Sequence, residues 1–248
     1  MHSDFRLTPG YDKLTVRIEM KQESKSQASA ILPVGRSKEE ARQFYDRVSG
    51  FYDCIMGIFE RKYAARALQS LSVQNGETVL EIGFGPGRCL KQIAQSVGDQ
   101  GQAYGIDISP GMLEVTKRRL EKAQLIDRVE LHCGDAAKLP YEENTFDAVF
   151  MSFTLELFDT PEIPEVLEEV KRVLKPTGRL GVVSMSRDYE ESTLLRLYEW
   201  AHNRWPKYVD CRPIYVEESL IDAGYRIQSK EKTRLIGLLP LESVITRM

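Results

Sequence analysis

Val79-Leu80-Glu81-Ile82-Gly83-Phe84-Gly85-Pro86-Gly87 decides how this chain is to be read. Thr78 to Ile82 is a short run dominated by apolar side chains and reads as a buried strand. Glycines at 83, 85 and 87 break it, and Leu90, Ile93, Ala94 and Val97 then recur on one helical face. Glycine lets the backbone take unusual dihedrals and come close to a ligand. A strand, a glycine-rich turn and a helix open a sheet of the kind that binds ligands beyond the carboxyl ends of its strands.

The same alternation runs to the end of the chain, which predicts an α/β fold with a parallel sheet and helices on both faces. Ala103–Asp107 is a second strand, and the helix after Pro110 carries Met112, Leu113, Leu120 and Ala123. Arg128–Cys133 and Phe146–Ser152 are the third and fourth strands. In the next helix Thr160 can cap and Pro161 suits the first position, ahead of the stripe Ile163, Val166, Leu167, Val170, Val173 and Leu174. Lys175-Pro176-Thr177-Gly178 turns into a fifth strand, Arg179–Ser184, followed by a helix around Leu194–His202 and β-like runs near Tyr225–Thr233 and Leu241–Thr246. Before the sheet, Glu39 to Glu60 carries an apolar stripe broken near Gly50, continued by Ala64, Ala67, Leu68 and Leu71. These divisions predict a weakly ordered arm over 1–38, a helical cap over 39–71 and a ligand-binding domain over 72–248.

Composition narrows the function. Of 248 residues, 42% are hydrophobic and 29% charged, with a net charge of −3, so no basic field of the kind that grips phosphates is present. Nucleic acid is excluded as the expected partner and a small molecule favoured. No run approaches the ~18 apolar residues of a membrane helix, and the start lacks the form of a signal peptide, which predicts a cytoplasmic protein without an integral membrane segment. A homodimer is left open. Cys54, Cys89, Cys133 and Cys211, like His2, His132 and His202, are too scattered for a disulfide framework or a metal site.

The strand ends carry the chemistry. Asp107, roughly 20 residues past the glycine turn, stands where a carboxylate accepts hydrogen bonds from ribose hydroxyls, although a strand-end carboxylate can also simply cap a helix. Gly134-Asp135-Ala136 places an acidic residue to receive an exocyclic adenine amine, with a plain surface turn as the alternative. A dinucleotide is disfavoured, because the G-x-G-x-x-G fingerprint needs glycine where this chain has Arg88. A different nucleoside ligand is favoured.

These motifs, with Gly105-Ile106-Asp107-Ile108-Ser109 and Phe146-Asp147-Ala148-Val149, resemble those of class I S-adenosylmethionine-dependent methyltransferases. The likeness is greatest to the branch of ubiquinone and menaquinone C-methyltransferases. It implies a Rossmann-like seven-stranded sheet, mostly parallel with an antiparallel C-terminal strand, and S-adenosylmethionine as cofactor. The glycine turn would lie under the methionine portion, Asp107 would hold the ribose, and Asp135 with Ala136 the adenine. The implied cofactor-binding set is Tyr45, Tyr52, Glu81, Gly83, Phe84, Gly85, Gly87, Asp107, Ile108, Met112, Gly134, Asp135, Ala136 and Ser152. Phe44 to Asp53 resembles the helical segment that covers the cofactor, and Phe84 departs from the small residue usual at its place.

Methyl transfer from a sulfonium is an in-line displacement that needs alignment and exclusion of water more than a dedicated nucleophile or metal. No catalytic residue is therefore assigned. Tyr45, Tyr52 and Phe84 could add cation–π attraction, or the two tyrosines could simply pack a helix. Ser152, Phe153, Glu156, Ser184 and Met185 are the candidate acceptor wall, and Glu156, Asp159 and His202 are candidate bases that serve equally as surface or capping residues. The aromatics Tyr189, Tyr198, Trp200, Trp205 and Tyr208 would suit a flat, quinone-like acceptor or ordinary packing. Two other readings stay open: a non-catalytic S-adenosylmethionine-binding module that docks a partner protein through its cap, and an aminopropyl transferase using the decarboxylated cofactor.

Overall fold

A computed structural model describes residues 33–49, 57–187, 193–204, 211–235 and 239–248, with side chains not described for 57–59, 193–196 and 203. Phe51, Tyr52, Asp53, Tyr189, Trp205 and Tyr208 lie outside these residues, as does the arm before Pro33.

Helices α1 (Lys38–Val48) and α2 (Gly57–Leu71) precede an alternation of β1 (Thr78–Ile82), α3 (Arg88–Val97), β2 (Gln102–Asp107), α4 (Pro110–Lys122), β3 (Val129–Cys133), β4 (Phe146–Ser152), α5 (Ile163–Val173) and β5 (Leu174–Met185). Then come α6 (Thr193–Arg204), α7 (Val216–Asp222), β6 (Arg226–Leu235) and β7 (Leu239–Arg247). The seven strands lie in the order β3-β2-β1-β4-β5-β7-β6. Only β7 runs against the rest, pairing antiparallel with both β5 and β6. The order reverses beside β1, which has β2 on one side and β4 on the other, so the crevice for a ligand opens above β1.

Strand alternation builds two apolar layers. Val79, Ala103, Ala148, Phe150, Val183 and Ile245 cluster with Ala67 and Leu71 of α2, Leu90 and Ile93 of α3, and Met112 and Leu120 of α4. The intervening residues Leu80, Ile106, Val149 and Leu180 are equally buried, as are Ile163, Val166, Leu167, Val170 and Val173 of α5. Each Val, Leu, Ile, Phe or Met side chain among them contributes about 1.5–3 kcal/mol on burial, so these stripes fix the helices on the sheet.

Lys175-Pro176-Thr177-Gly178 turns the chain as predicted: a Cβ at Gly178 would lie 2.8 Å from Lys175 O, which only a fold-back allows. The turn sits within β5, where Leu174 pairs with Phe146 and the register then shifts so that Ala148 meets Arg179, while Lys175 reaches Asp147 at 2.8 Å. Two local expectations need correction. Thr160 does not cap α5. A turn closed by Asp159 O, which accepts from the N–H groups of Glu162 and Ile163, leads into a helix starting at Ile163, with Pro164 in its first turn. The third strand starts at Val129, since Ile126–Arg128 forms a 3-10 turn.

Candidate functional site

The carboxyl ends of β1, β2, β3 and β4 line up into one wall. The Gly83 N–H donates to Ile106 O at 2.8 Å, Gly134 N–H to Asp107 O at 2.9 Å, and Phe153 N–H to Val183 O at 2.8 Å, each extending a ladder one residue past its strand. Above this wall is a cavity of about 540 Å³, within the range of small-molecule sites.

The turn Gly83–Gly87 has left-handed φ at all three glycines, for two different reasons. A Cβ at Gly83 would stand 2.4 Å from the Thr154 side chain, and one at Gly87 2.4 Å from Thr116, so both positions are closed by packing. Gly85 has open space around it and is needed for its backbone conformation alone, at φ +48°. Helix α4 holds the turn from behind: the Thr116 hydroxyl donates to Gly85 O at 2.8 Å and the Arg119 guanidinium to Pro86 O. Thr116→Val should leave Gly85 O without its donor and cost about 0.5–1.5 kcal/mol, seen in calorimetry as a severalfold weaker cofactor affinity. Unchanged affinity would show that the turn holds its shape without α4.

Asp107 stands beside the turn with both carboxylate oxygens engaged. Oδ2 accepts from Gly85 N–H at 2.8 Å and Oδ1 from Ser109 N–H at 2.9 Å. Burial nevertheless pushes its pKa up to about 6. Glu81, in β1, is buried more deeply, and burial reinforced by the nearby Asp107 charge pushes its carboxyl well above the usual range. Its Oε2 is buried with no hydrogen-bond partner in the protein, yet Glu81 lines the cavity. A buried acceptor left unmet is costly, so this oxygen points to a donor carried by a ligand. Burial raises the Cys89 thiol as well, which keeps this cavity-lining sulfur a thiol rather than a nucleophile at neutral pH.

The structure brings Tyr45, Glu81, Gly83, Phe84, Gly85, Asp107, Ile108, Met112, Gly134, Asp135, Ala136 and Ser152 around the one cavity. Gly87 stands outside its lining and instead begins α3 against Thr116. Tyr52 lies outside the described residues. Phe84 is buried, and the unusual bulk at this place is accommodated by Gly105 of β2, where a Cβ would come 2.8 Å from the ring. The Arg36 guanidinium lies over the Tyr45 ring, 5.1 Å from its centroid, so one cation already occupies an aromatic face here.

The acceptor side differs more from expectation. Ser152 and Phe153 line the cavity, but Glu156, Ser184 and Met185 are buried away from it. Glu156 Oε1 accepts from Met185 N–H at 3.3 Å, so this carboxylate ties the ends of β4 and β5 together. His202 is also buried, its Nε2 3.4 Å from Pro33 O. Asp159 Oδ1 accepts from Val34 N–H and Thr160 N–H, and the residue lines the cavity. On α6, Tyr198 donates to Cys211 O and Trp200 is 55% exposed, and neither lines the cavity. Thr154, Leu157, Phe158 and Pro161 also line the cavity, and nothing in the sequence marks them as site residues. They belong to an irregular segment, which periodicity cannot register.

A sheet of this order, with a glycine turn at its reversal and carboxylates on the next strand ends, is similar to that of the class I S-adenosylmethionine-dependent methyltransferases, and the curated relatives carry names from the menaquinone-biosynthesis branch. Residues 79–178 match the family described as a methyltransferase domain. Curated relatives named demethylmenaquinone methyltransferase include one from Symbiobacterium thermophilum, 28% identical over 84% of this chain and 88% of the relative. Another, from Oceanobacillus iheyensis, is 35% identical over 61% of this chain and 64% of the relative, so that alignment stops just short of two thirds of its length. Among solved structures, an S-adenosylmethionine-dependent methyltransferase from Aquifex aeolicus is 26% identical with a TM-score of 0.55, over 75% of this chain and 89% of that one. The [4+2]-cyclase SpnF shares the fold at 21% identity and a TM-score of 0.62, over 75% of this chain and 79% of that one. Among the described residues no helix is long and apolar enough to cross a membrane.

Proposed function

We propose that this chain methylates a small, flat, apolar acceptor of the quinol class. The observation that carries the reading is the division of the cavity wall. Its strand-end side offers backbone and carboxylates, Gly83, Gly85, Asp107 and Asp135, while Phe153, Leu157 and Phe158 after β4 offer apolar surface. The printed names of the curated relatives support the same acceptor class.

Asp107 would accept from the ribose hydroxyls and Asp135 from the exocyclic adenine amine, and the Gly83–Gly85 backbone would hold the methionine portion. Glu81, its Oε2 lacking any protein donor, would receive a donor from the same ligand. When bound, S-adenosylmethionine supplies a methyl group on a positively charged sulfur, a leaving group that needs no further activation. What remains for the protein is to hold donor and acceptor at about 3–3.5 Å and exclude water, which is worth up to ~7–11 kcal/mol in well-oriented cases. The cavity-facing side chains of Phe153, Leu157 and Phe158 do this by presenting a dry face to a planar ring. Glu156 and His202 take no part, being buried in structural contacts.

Transfer of a labelled methyl group should be measured across quinols, phenols, amines and thiols. Turnover is expected on a demethylated naphthoquinol well above the other classes. Preferential methylation of an amine or thiol would overturn the acceptor class.

A further inference from the structure

Helix α1 is attached over the cavity at two points. At one, Asp46 Oδ1 accepts from the Ser109 hydroxyl at 2.6 Å and from Gly111 N–H at 2.9 Å, capping α4 from another helix. Ser109 N–H in turn donates to Asp107, so this attachment sits beside the ribose end of the site. At the other, Lys38 Nζ lies 2.6 Å from Asp135 Oδ2 and 2.7 Å from Glu162 Oε1, bridging the ends of β3 and the entry to α5. The Asp135 Oδ1 oxygen is already used by Ala137 N–H at 3.0 Å. Lys38, Asp135 and Glu162 all line the cavity.

Oδ2 is the Asp135 oxygen without a backbone donor, and it is the one that the lysine meets. We infer that Lys38 is a cofactor-responsive latch: without cofactor its ammonium bridges Asp135 and Glu162, and it yields Asp135 to the exocyclic amine of adenine while Glu162 keeps it in place. This rests on the proposed role of Asp135. Two carboxylates around one ammonium suit such an exchange, since Lys38 loses one partner and retains the other rather than becoming an unpaired charge. The side chains of Lys38 and Asp135 are each 39% exposed and that of Glu162 32%, so neither contact is strong enough to lock the site. The Asp46 attachment is untouched by the exchange, so α1 remains anchored over the ribose end throughout.

The test is calorimetric titration of the full chain with S-adenosylhomocysteine and with its 6-oxo analogue, S-inosylhomocysteine. Lys38→Met removes the competitor and should tighten S-adenosylhomocysteine binding about two- to fivefold, the range of an exposed ion pair. Glu162→Gln removes the waiting partner and should weaken binding by a similar factor. The double variant should match Lys38→Met alone, because Glu162 acts only through the lysine. The 6-oxo analogue can accept from Lys38, so discrimination against it should be greater in Lys38→Met than in the natural chain. Weaker binding by Lys38→Met, or additive effects in the double variant, would overturn the latch. Asp135→Asn separates the two ideas. If it leaves affinity unchanged, the adenine role of Asp135 fails; if it weakens binding while Lys38→Met does not strengthen it, only the latch fails.

Discussion

Gly83→Ala is expected to lower cofactor affinity by about a hundredfold or more, with a loss of several degrees in Tm. Its Cβ would stand 2.4 Å from both Cγ2 and Oγ1 of Thr154, at a residue whose φ is +71°. The left-handed conformation costs a non-glycine residue about 1–2 kcal/mol and overpacking a further ~1–3 kcal/mol. Thr154 cannot easily retreat, because it is buried and its hydroxyl donates to Ser152 O at 3.0 Å. The strain is relieved by moving the turn, which displaces the backbone meant to lie under the ligand. Adding Thr154→Ala removes both close atoms and leaves the φ penalty and a 3.0 Å contact with the Cβ of residue 154, so affinity should return in part. Natural affinity in the single variant would show that the turn does not touch the cofactor.

Asp107→Asn is expected to weaken cofactor binding by ~1.5–3 kcal/mol, the range for hydrogen bonds to a charged group, or roughly ten- to a hundredfold. The carboxylate meets two backbone N–H groups, and an amide can satisfy only one of them with its oxygen, turning its NH2 toward the other. The pH dependence carries the sign. Burial raises Asp107 from 3.8 to about 6, so below that pH the protein without cofactor holds it neutral. Hydroxyl donors favour the ionised form, so affinity should fall as pH drops through 6 in the natural chain and stay flat across this range in Asp107→Asn. Stability runs the other way. A carboxyl whose folded pKa is raised contributes stability that is full below the unfolded value near 4 and lost as pH rises through about 6. The ionised group therefore costs the cofactor-free fold on the order of 3 kcal/mol at neutral pH. Asp107→Asn should keep or raise Tm at pH 7 while losing binding. A parallel loss of both would mean that Asp107 is structural.

Much of this site could be read directly. The strands Thr78–Ile82 and Phe146–Ser152 have the limits their apolar runs predict, because a buried parallel strand is marked at both ends by the turn residues that stop it. The strand-end residues Gly83, Asp107 and Asp135 fall on one wall because parallel strands in register must end together. Where reading failed, a distant contact outweighed the local pattern. Glu156 reads as a candidate base or as a surface or capping residue, and the Met185 N–H at the end of β5 draws it into the interior.

The sequence by itself determined the alternation of strands and helices, the glycine turn and the carboxylates at the strand ends. These depend on periodicity, on φ preferences and on what a strand end presents, all set within a few residues. Only the tertiary structure decided that Lys38 meets Asp135 across 97 positions of chain. The same holds for the closing of Gly83 by Thr154 and for the room Gly105 leaves for Phe84. Those pairings arise when the layers close, and no local preference encodes which distant side chain will fill a given gap.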